Sequence, residues 1–81
     1  MPKFKVLSGL DLLKNFESFG FVHISSKGSH MKLRRINIEG KWGTLTIPNH
    51  KELDKETTVA IYRQALRYID KTVLLGSFYH S

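Results

Sequence analysis

One histidine in this chain of 81 residues stands where it could move a proton beside a phosphate. His30 directly follows a Lys-Gly-Ser turn at residues 27–29, where backbone can approach a phosphate closely, and Lys32 and Arg34 alternate with it. Histidine side chains exchange protons at cellular pH, and neighbouring cations can stabilise charge that gathers on phosphate oxygens. His30 is therefore a candidate general acid–base residue, although most single histidines on strands are only exposed surface residues.

The charge of the chain favours a polyanionic partner. Thirteen Lys and Arg residues against seven Asp and Glu residues leave a net charge of +6 at pH 7. Residues 27–41 contain five cations and a single acid, so much of this excess is local. Nucleic acid is the leading candidate for such a surface, and a solvated basic face is the alternative. The candidate contacts are Lys27, Gly28, Ser29, Lys32, Arg34, Lys41, His50 and Lys51.

The composition excludes several classes of protein. There is no cysteine, so disulfides and thiolate metal sites are excluded, and a reducing compartment fits. The histidine spacings form no metal-binding pattern, and we expect no metal and no other cofactor. No apolar run approaches the roughly 18 residues that span a membrane, and residues 1–7 lack the apolar core of a secretion signal. We expect one cytoplasmic domain over residues 1–81.

The elements that must position the candidate residues begin with a helix. Ser8 is a typical helix N-cap, and Asp11 three residues later can return the capping hydrogen bond. Gly20 supplies the left-handed residue that often ends a helix. Between them a helical period places five apolar side chains on one side: Leu10, Leu12, Leu13, Phe16 and Phe19.

A hairpin then carries the candidate histidine. From residue 21 the apolar residues alternate, which is typical of a half-buried strand, and residues 26–29 form a turn. Centring the turn on residues 27 and 28 predicts four cross-strand pairs: Val22 with Leu33, Ile24 with Met31, His23 with Lys32, and Ser25 with His30. One face of the hairpin is then apolar. The other face carries His30 and also His23, a second candidate proton carrier.

A third strand completes the predicted sheet. The apolar phase slips to Ile36 and Ile38, which predicts a bulge or bend there. Residues 44–47 then alternate as a strand, and Pro48 ends it because proline cannot donate to a sheet ladder. In the turn before that strand, Trp42 could either stack on a nucleic-acid base or cover the edge of the core.

A second helix is predicted to begin at residue 54 or 55. Its helical spacing directs four apolar side chains inward: Val59, Tyr62, Leu66 and Ile69. Asp70 can cap a short turn at residues 73–75, and the aromatic residues of the tail, Phe78 and Tyr79, could pack back on the body.

The predicted order of elements is helix, three antiparallel strands, helix. With both helices on one face of the sheet, this α+β arrangement is the layout of the double-stranded-RNA-binding domain, whose partner is read largely by shape. The face opposite the helices then carries His30 and is accessible to solvent.

Four short motifs stand in a particular order along the chain. They are Ser8-Gly9 with Leu12-Leu13, Gly20-Phe21-Val22, Lys27-Gly28-Ser29-His30, and Thr46-Ile47-Pro48 followed by His50-Lys51-Glu52-Leu53. Together with Thr57 and residues 61–64, this ordered set resembles the HicA toxins of bacterial toxin–antitoxin pairs. A single piece such as Gly-Ser-His would occur by chance, but the ordered set would not. Residues 67–69 and the Phe78-Tyr79 tail also resemble one branch of the family, so the resemblance covers nearly the entire chain.

The resemblance implies an endoribonuclease that cuts messenger RNA without a metal and is held inactive by a HicB-type antitoxin. The functional histidine of the family corresponds to His30, and His50 could touch phosphate or the antitoxin. Two positions depart from the family pattern: Met31, where many members have a second histidine, and Glu56, where many have a glycine.

Two other functions are open on the sequence. A non-catalytic RNA-binding module of the same fold would use His30 only to bind phosphate, and a protein-interaction subunit would need an acidic partner. Salt-sensitive binding is expected of a nuclease and of a binding module alike, so only cleavage of RNA separates those two functions.

Overall fold

The structure, a computed structural model, describes residues 3–36 and 39–80. Its elements follow in the order β1 (Lys3–Phe4), α1 (Gly9–Ser18), β2 (Val22–Lys27), β3 (His30–Ile36), β4 (Trp42–Pro48), α2 (Lys55–Ala65), α3 (Lys71–Phe78) and β5 (Tyr79–His80). β2, β3 and β4 pair in that order as an antiparallel sheet, and β1 pairs with β5 in a separate antiparallel ribbon. The α+β layout predicted from the double-stranded-RNA-binding domain is confirmed, with α3 and the ribbon added to it.

One face of the sheet is covered by the helices and the other is open to solvent. Along β3 and β4, residues of one phase are buried and the residues between them are more exposed. The buried sheet residues share one apolar cluster with residues of all three helices: Met31, Leu33, Leu45 and Ile47 with Leu12, Phe16, Ile61, Ala65, Leu74 and Phe78. The face that carries His30 is therefore accessible, as predicted.

α1 has the predicted cap and the predicted stop. The Ser8 hydroxyl accepts a hydrogen bond from the Asp11 backbone N–H, and the Asp11 carboxylate accepts one from the Ser8 N–H, each at 3.0 Å. The bond from the Ser8 backbone is the main reason that the pKa of Asp11 lies below its ordinary value. Gly20 follows the helix with a φ of +91°. The prediction that Leu10 faces the core is wrong, because Gly9 packs against β4 and turns its neighbour outward to 53% exposure.

The predicted register of the hairpin is wrong: the partners on β3 differ from those predicted by two residues next to the turn and by one residue beyond the bulge. β2 and β3 pair Val22 with Arg34, His23 with Leu33, Ser25 with Lys32, Ser26 with Met31 and Lys27 with His30. The turn is centred on Gly28-Ser29 because Gly28 takes the positive φ, +58°, that a two-residue turn of type II′ needs at its first position. A register shift between His23 and Ser25 then leaves Ile24 as a bulge residue. As a result Val22 and Ile24 do not join the core.

The bulge or bend predicted beyond Arg35 is not found as far as Ile36, and residues 37 and 38, the rest of that prediction, lie outside the described residues. β3 and β4 pair without a shift from His30 opposite Pro48 to Ile36 opposite Trp42. Arg35 occupies the core-side position instead of an apolar residue, and its Nη1 donates a 3.0 Å hydrogen bond to the Tyr68 carbonyl. The long aliphatic stem of an arginine can lie along apolar surface while its head group finds a polar partner. Ile36 is therefore exposed, and Ile38 lies outside the described residues.

α2 begins where it was predicted, but the set of side chains that it buries differs in part from the predicted set. The Asp54 carboxylate caps it by accepting a 2.7 Å hydrogen bond from the Thr57 N–H. Hydrogen bonds from Thr57 are the main cause of the lowered pKa of Asp54. Tyr62 and Ile69 are buried as predicted, and Val59 is partly buried. Leu66 is 38% exposed and lies outside the core, which corrects that prediction, because Ile61 and Ala65 supply the inner face of the last turns.

The C-terminal segment forms more structure than the short turn predicted from the sequence. α3 runs from Lys71 to Phe78, and Phe78 is fully buried. Tyr79 packs against Phe4, with ring centroids 4.1 Å apart, so the tail does pack back as predicted. Among the described helices, none is long and apolar enough to cross a membrane.

Candidate nucleic-acid interface

Four of the candidate residues share the solvent-accessible side of the sheet. On β3, His30, Lys32 and Arg34 point away from the buried Met31 and Leu33. Lys27 of β2 lies directly opposite His30, and directly opposed residues of antiparallel strands share one face with Cβ atoms about 5 Å apart. We define the open face as the surface formed by Lys27, His30, Lys32, Arg34 and Trp42.

The cations of β3 have no acidic residue directly opposite them in the sheet. Lys32 lies between Ser25 of β2 and Thr46 of β4. Arg34 lies between Val22 and Thr44. Because none of these directly opposed neighbours is acidic, the charges of the row are not neutralised within it. The row can therefore attract a chain of phosphates.

The turn beside His30 is tied to the segment that follows β4. Ser29 accepts a hydrogen bond at its carbonyl from the Asn49 N–H, 2.5 Å away. His50 and Lys51 come next in the chain and are exposed. This segment contacts the start of α1, where the Gly9 N–H donates a 2.9 Å hydrogen bond to the His50 carbonyl, and a hollow of ≈ 450 Å³ beside it is lined by Ser8, Leu10, Asn49, His50 and Lys51. The structure thus brings Gly28, Ser29, His50 and Lys51 to the His30 end of the sheet.

Lys41 lies at the other end of the sheet. It precedes Trp42, which pairs with Ile36, six residues along β3 from His30. At about 3.3 Å per residue that is roughly 20 Å. The Lys41 ammonium lies 3.9 Å from the Glu39 carboxylate, and both side chains are exposed. Lys41 is therefore not part of the cluster around His30.

His23 also lies apart from His30. The observed register places it opposite Leu33, on the other phase of the strand from the Lys27–His30 pair. Its Nε2 lies 3.0 Å from the Ser25 carbonyl and 2.8 Å from the Ser26 hydroxyl. The geometry gives His23 no direct access to a phosphate at His30.

Trp42 is on the open face and does not cover the core. It is 61% exposed, and the Arg34 guanidinium carbon lies 4.9 Å from the centroid of its ring. The sequence allowed Trp42 either to be available to a nucleic-acid base or to cover the edge of the core. Trp42 pairs with Ile36, which lies on the same side of β3 as His30, so the indole is not over the core.

A metal site would need several acidic residues or histidines close together. Within residues 3–36 and 39–80, no group of three or more His, Asp or Glu side chains is gathered as metal ligands would be.

The contact between α1 and the end of β4 predicts a steric requirement at Gly9. A Cβ at this position would overlap the Pro48 carbonyl oxygen and lie 2.9 Å from the Asn49 Cα. Both neighbours are backbone atoms, so the helix or the strand end would have to move. We expect Gly9→Ala to lower the free energy of unfolding by about 1–3 kcal/mol, measured by denaturant titration.

Gly76→Ala is the matched control, because Gly76 is also helical and a Cβ there meets no atom within 4 Å. That change should leave stability unchanged or raise it by about 0.5–1 kcal/mol. Equal stability of the two variants would show that α1 does not pack as closely on Pro48 as described.

Charge reversal at Lys32 tests the open face as a phosphate-binding surface. Lys32→Glu should weaken binding to single-stranded RNA and lower the log–log salt slope by about one unit, since each phosphate contact contributes about that much. The measurement is the dissociation constant over a series of salt concentrations. Lys71→Glu, at an exposed position on α3 outside the sheet, is the control and should keep the slope. An unchanged slope for Lys32→Glu would remove Lys32 from the interface.

Comparison with known proteins gives one match. A family model described as the HicA toxin of bacterial toxin–antitoxin matches residues 9–66, more than two thirds of the chain. The matched segment contains α1, the whole sheet from β2 to β4 and α2, and hence every candidate residue of the interface. No curated protein and no solved structure gave a match.

Proposed function

We propose, because this chain belongs to the HicA toxins of bacterial toxin–antitoxin systems, that it is an endoribonuclease that cuts messenger RNA without a metal. His30 is the proposed catalytic residue. Lys27, Lys32, Arg34, His50 and Lys51, with the backbone at Gly28 and Ser29, are the proposed RNA contacts. Lys41 would contact RNA only at the far end of the sheet.

The observation that supports this proposal most directly is the position of His30. It is exposed at the edge of the glycine turn, opposite Lys27 and in line with Lys32. There the imidazole can remove the proton of a ribose 2′-hydroxyl, and the 2′-oxygen then attacks the adjacent phosphorus. The bond to the 5′-oxygen breaks, that oxygen takes a proton from solvent, and the cations stabilise the charge on the phosphate oxygens.

The family also implies an antitoxin partner. We propose that a HicB-like antitoxin inhibits the toxin by covering the open face, since this face carries both the cations and His30. An acidic surface on the antitoxin would complement it. The proposed unit is the whole chain, residues 1–81, acting in the cytoplasm, where its messenger RNA is.

A non-catalytic RNA-binding module is the second candidate function. The position of His23 favours it, because the register separates His23 from His30. Two proton transfers are needed to cut RNA by this route, and His23 is not placed to perform the second, so the proposed nuclease depends on solvent for that proton, whereas a binding module needs neither transfer.

The ends of the RNA products separate the two functions. The purified chain is incubated with single-stranded RNA in the presence of a chelator. We expect fragments that end in 2′,3′-cyclic phosphate, because the nucleophile is the neighbouring 2′-hydroxyl. Intact RNA at protein concentrations that saturate binding would favour the binding module.

A further inference from the structure

The end of the open face that is distant from His30 is aromatic and apolar. Trp42 and Val22 are each 61% exposed, and Ile36 is half exposed. The register groups these side chains, because Ile36 lies opposite Trp42, and Val22 lies opposite Arg34. A group of large exposed apolar residues on one side of a small domain indicates a binding surface.

Arg34 joins this apolar end to the cationic row. Its guanidinium carbon lies 4.9 Å from the centroid of the Trp42 ring, a cation–π distance. Its Nε is buried and has no hydrogen-bond partner within the described part of the chain. The guanidinium thus lies over the indole ring, and a base can extend the stack that the two flat groups form.

We propose that Trp42 and Arg34 form a stacking subsite for an unpaired base of the RNA that binds along the open face. The inference rests on the proposed function only in taking RNA as the ligand. Arg34 is four residues from His30 on β3, which is about 13 Å. Fully stacked nucleotides rise about 3.4 Å each and a more extended strand rises more, so the base at this subsite lies at most about four nucleotides from the phosphate at His30.

The surroundings favour RNA over a protein at this subsite. Lys32 lies between His30 and Arg34 on the same face, so a ligand that runs along β3 meets three basic side chains before it reaches the indole. A nucleic-acid strand supplies phosphates for these side chains and a flat base for the indole. Aromatic platforms bind bases of any sequence, because every base has a π-face.

The base at this subsite must also be unpaired. In an A-form duplex each base is stacked between its neighbours, and proteins contact the sugar edges and phosphates instead. A solvent-exposed indole on a flat sheet cannot enter that stack. The RNA is therefore single-stranded where it crosses Trp42, although the fold resembles a domain that binds duplexes.

Three substitutions at Trp42 test the subsite, each made in the His30→Ala chain so that the RNA stays intact. The probe is a labelled oligouridylate of about ten nucleotides, within the site sizes of such surfaces. Trp42→Ala should weaken binding about 5- to 100-fold. Trp42→Phe should retain most of the affinity, and Trp42→Leu should bind as weakly as the alanine variant because leucine is apolar but has no π-face. Val73→Ala, at another exposed apolar residue, is the control and should bind normally.

Abasic probes locate the stacked base. One abasic nucleotide is moved through the oligouridylate, and at one position the chain with Trp42 should lose affinity. With that probe, Trp42→Ala should cause no further loss, because the partner of the indole is already absent. Binding to a duplex of the same length should not depend on Trp42.

Three results would overturn the subsite. The first is a Trp42→Leu chain that binds RNA as well as the chain with Trp42. The second is a Trp42→Ala effect that persists at every abasic position. The third is a Trp42→Ala chain that binds RNA normally but binds its antitoxin weakly, which would make this end of the sheet a protein-docking surface. Binding is measured in a chain that does not cleave RNA, so the two proposals can fail separately. If RNA binding depends on Trp42 but the wild-type chain never cuts RNA, only the proposed nuclease activity is contradicted. If the wild-type chain cuts RNA but RNA binding does not depend on Trp42, only the stacking subsite is contradicted.

Discussion

Replacing His30 with alanine should lower the rate of RNA cutting about 10²- to 10⁴-fold while leaving the fold and most of the RNA affinity intact. The side chain is exposed at the start of β3, so its removal leaves no cavity in the core. The surrounding cations, which supply most of the attraction for RNA, are unchanged. The loss should therefore appear in the rate at saturating RNA and only weakly in the dissociation constant.

The matched control for this experiment is His23→Ala. His23 is also an exposed strand histidine, but it lies opposite Leu33 and outside the His30 row. Single-turnover rates at saturating RNA, with binding measured separately, should show a large loss for His30→Ala and little change for His23→Ala.

The opposite pattern of kinetics would assign a different role to His30. If the imidazole only binds phosphate, the alanine variant should lose affinity a few-fold and cut normally at saturating RNA. Products with 3′-hydroxyl ends that form only with magnesium would contradict the histidine mechanism altogether. Equal losses in the two histidine variants would indicate that His23 takes part in the reaction after all.

Phe78→Ala should destabilise the chain by about 3–5 kcal/mol, the usual cost of removing a buried phenylalanine. Phe78 ends α3 and is fully buried. Its ring centroid lies 5.3 Å from that of Tyr62 in α2 and 6.0 Å from that of Phe16 in α1. It therefore links the C-terminal helix to both other helices. Domains of this size have a total stability of about 5–15 kcal/mol, so the variant should lose a large share of it.

Denaturant titration measures this loss as a lower transition midpoint with an unchanged slope. Val73→Ala is the control on the same helix, since Val73 is exposed, and it should change stability by no more than about 0.5 kcal/mol. Phe78→Leu keeps part of the volume and should lie between them. A Phe78→Ala chain as stable as the control would show that α3 is not part of the core. Phe78 lies beyond residue 66, where the family match ends, so the result also shows whether the tail supports the matched segment.

Local signals predicted both ends of α1 and the start of α2 correctly. These signals depend on hydrogen bonds or backbone freedom within three or four residues. They are the Ser8–Asp11 capping box, the positive φ of Gly20 and the Asp54 cap. Such interactions need no information about the rest of the chain. The inner faces of the helices were predicted less well. The side that α1 buries depends on the close approach of Gly9 to Pro48, which lies far away in the sequence.

The sequence by itself determined the class of fold, the basic sheet and His30 as the residue to test, because alternation, caps and motifs are written in neighbouring residues. The tertiary structure alone decided which residues share the open face. Successive residues of a strand point to opposite sides of the sheet. The turn of the hairpin is centred one residue later than predicted and β2 contains a bulge, and together these differences separate His23 from His30 and place Val22 on the surface. The unshifted pairing of β3 with β4 likewise placed Trp42 beside Arg34. These placements depend on contacts between strands, and such contacts exist only after the chain has folded.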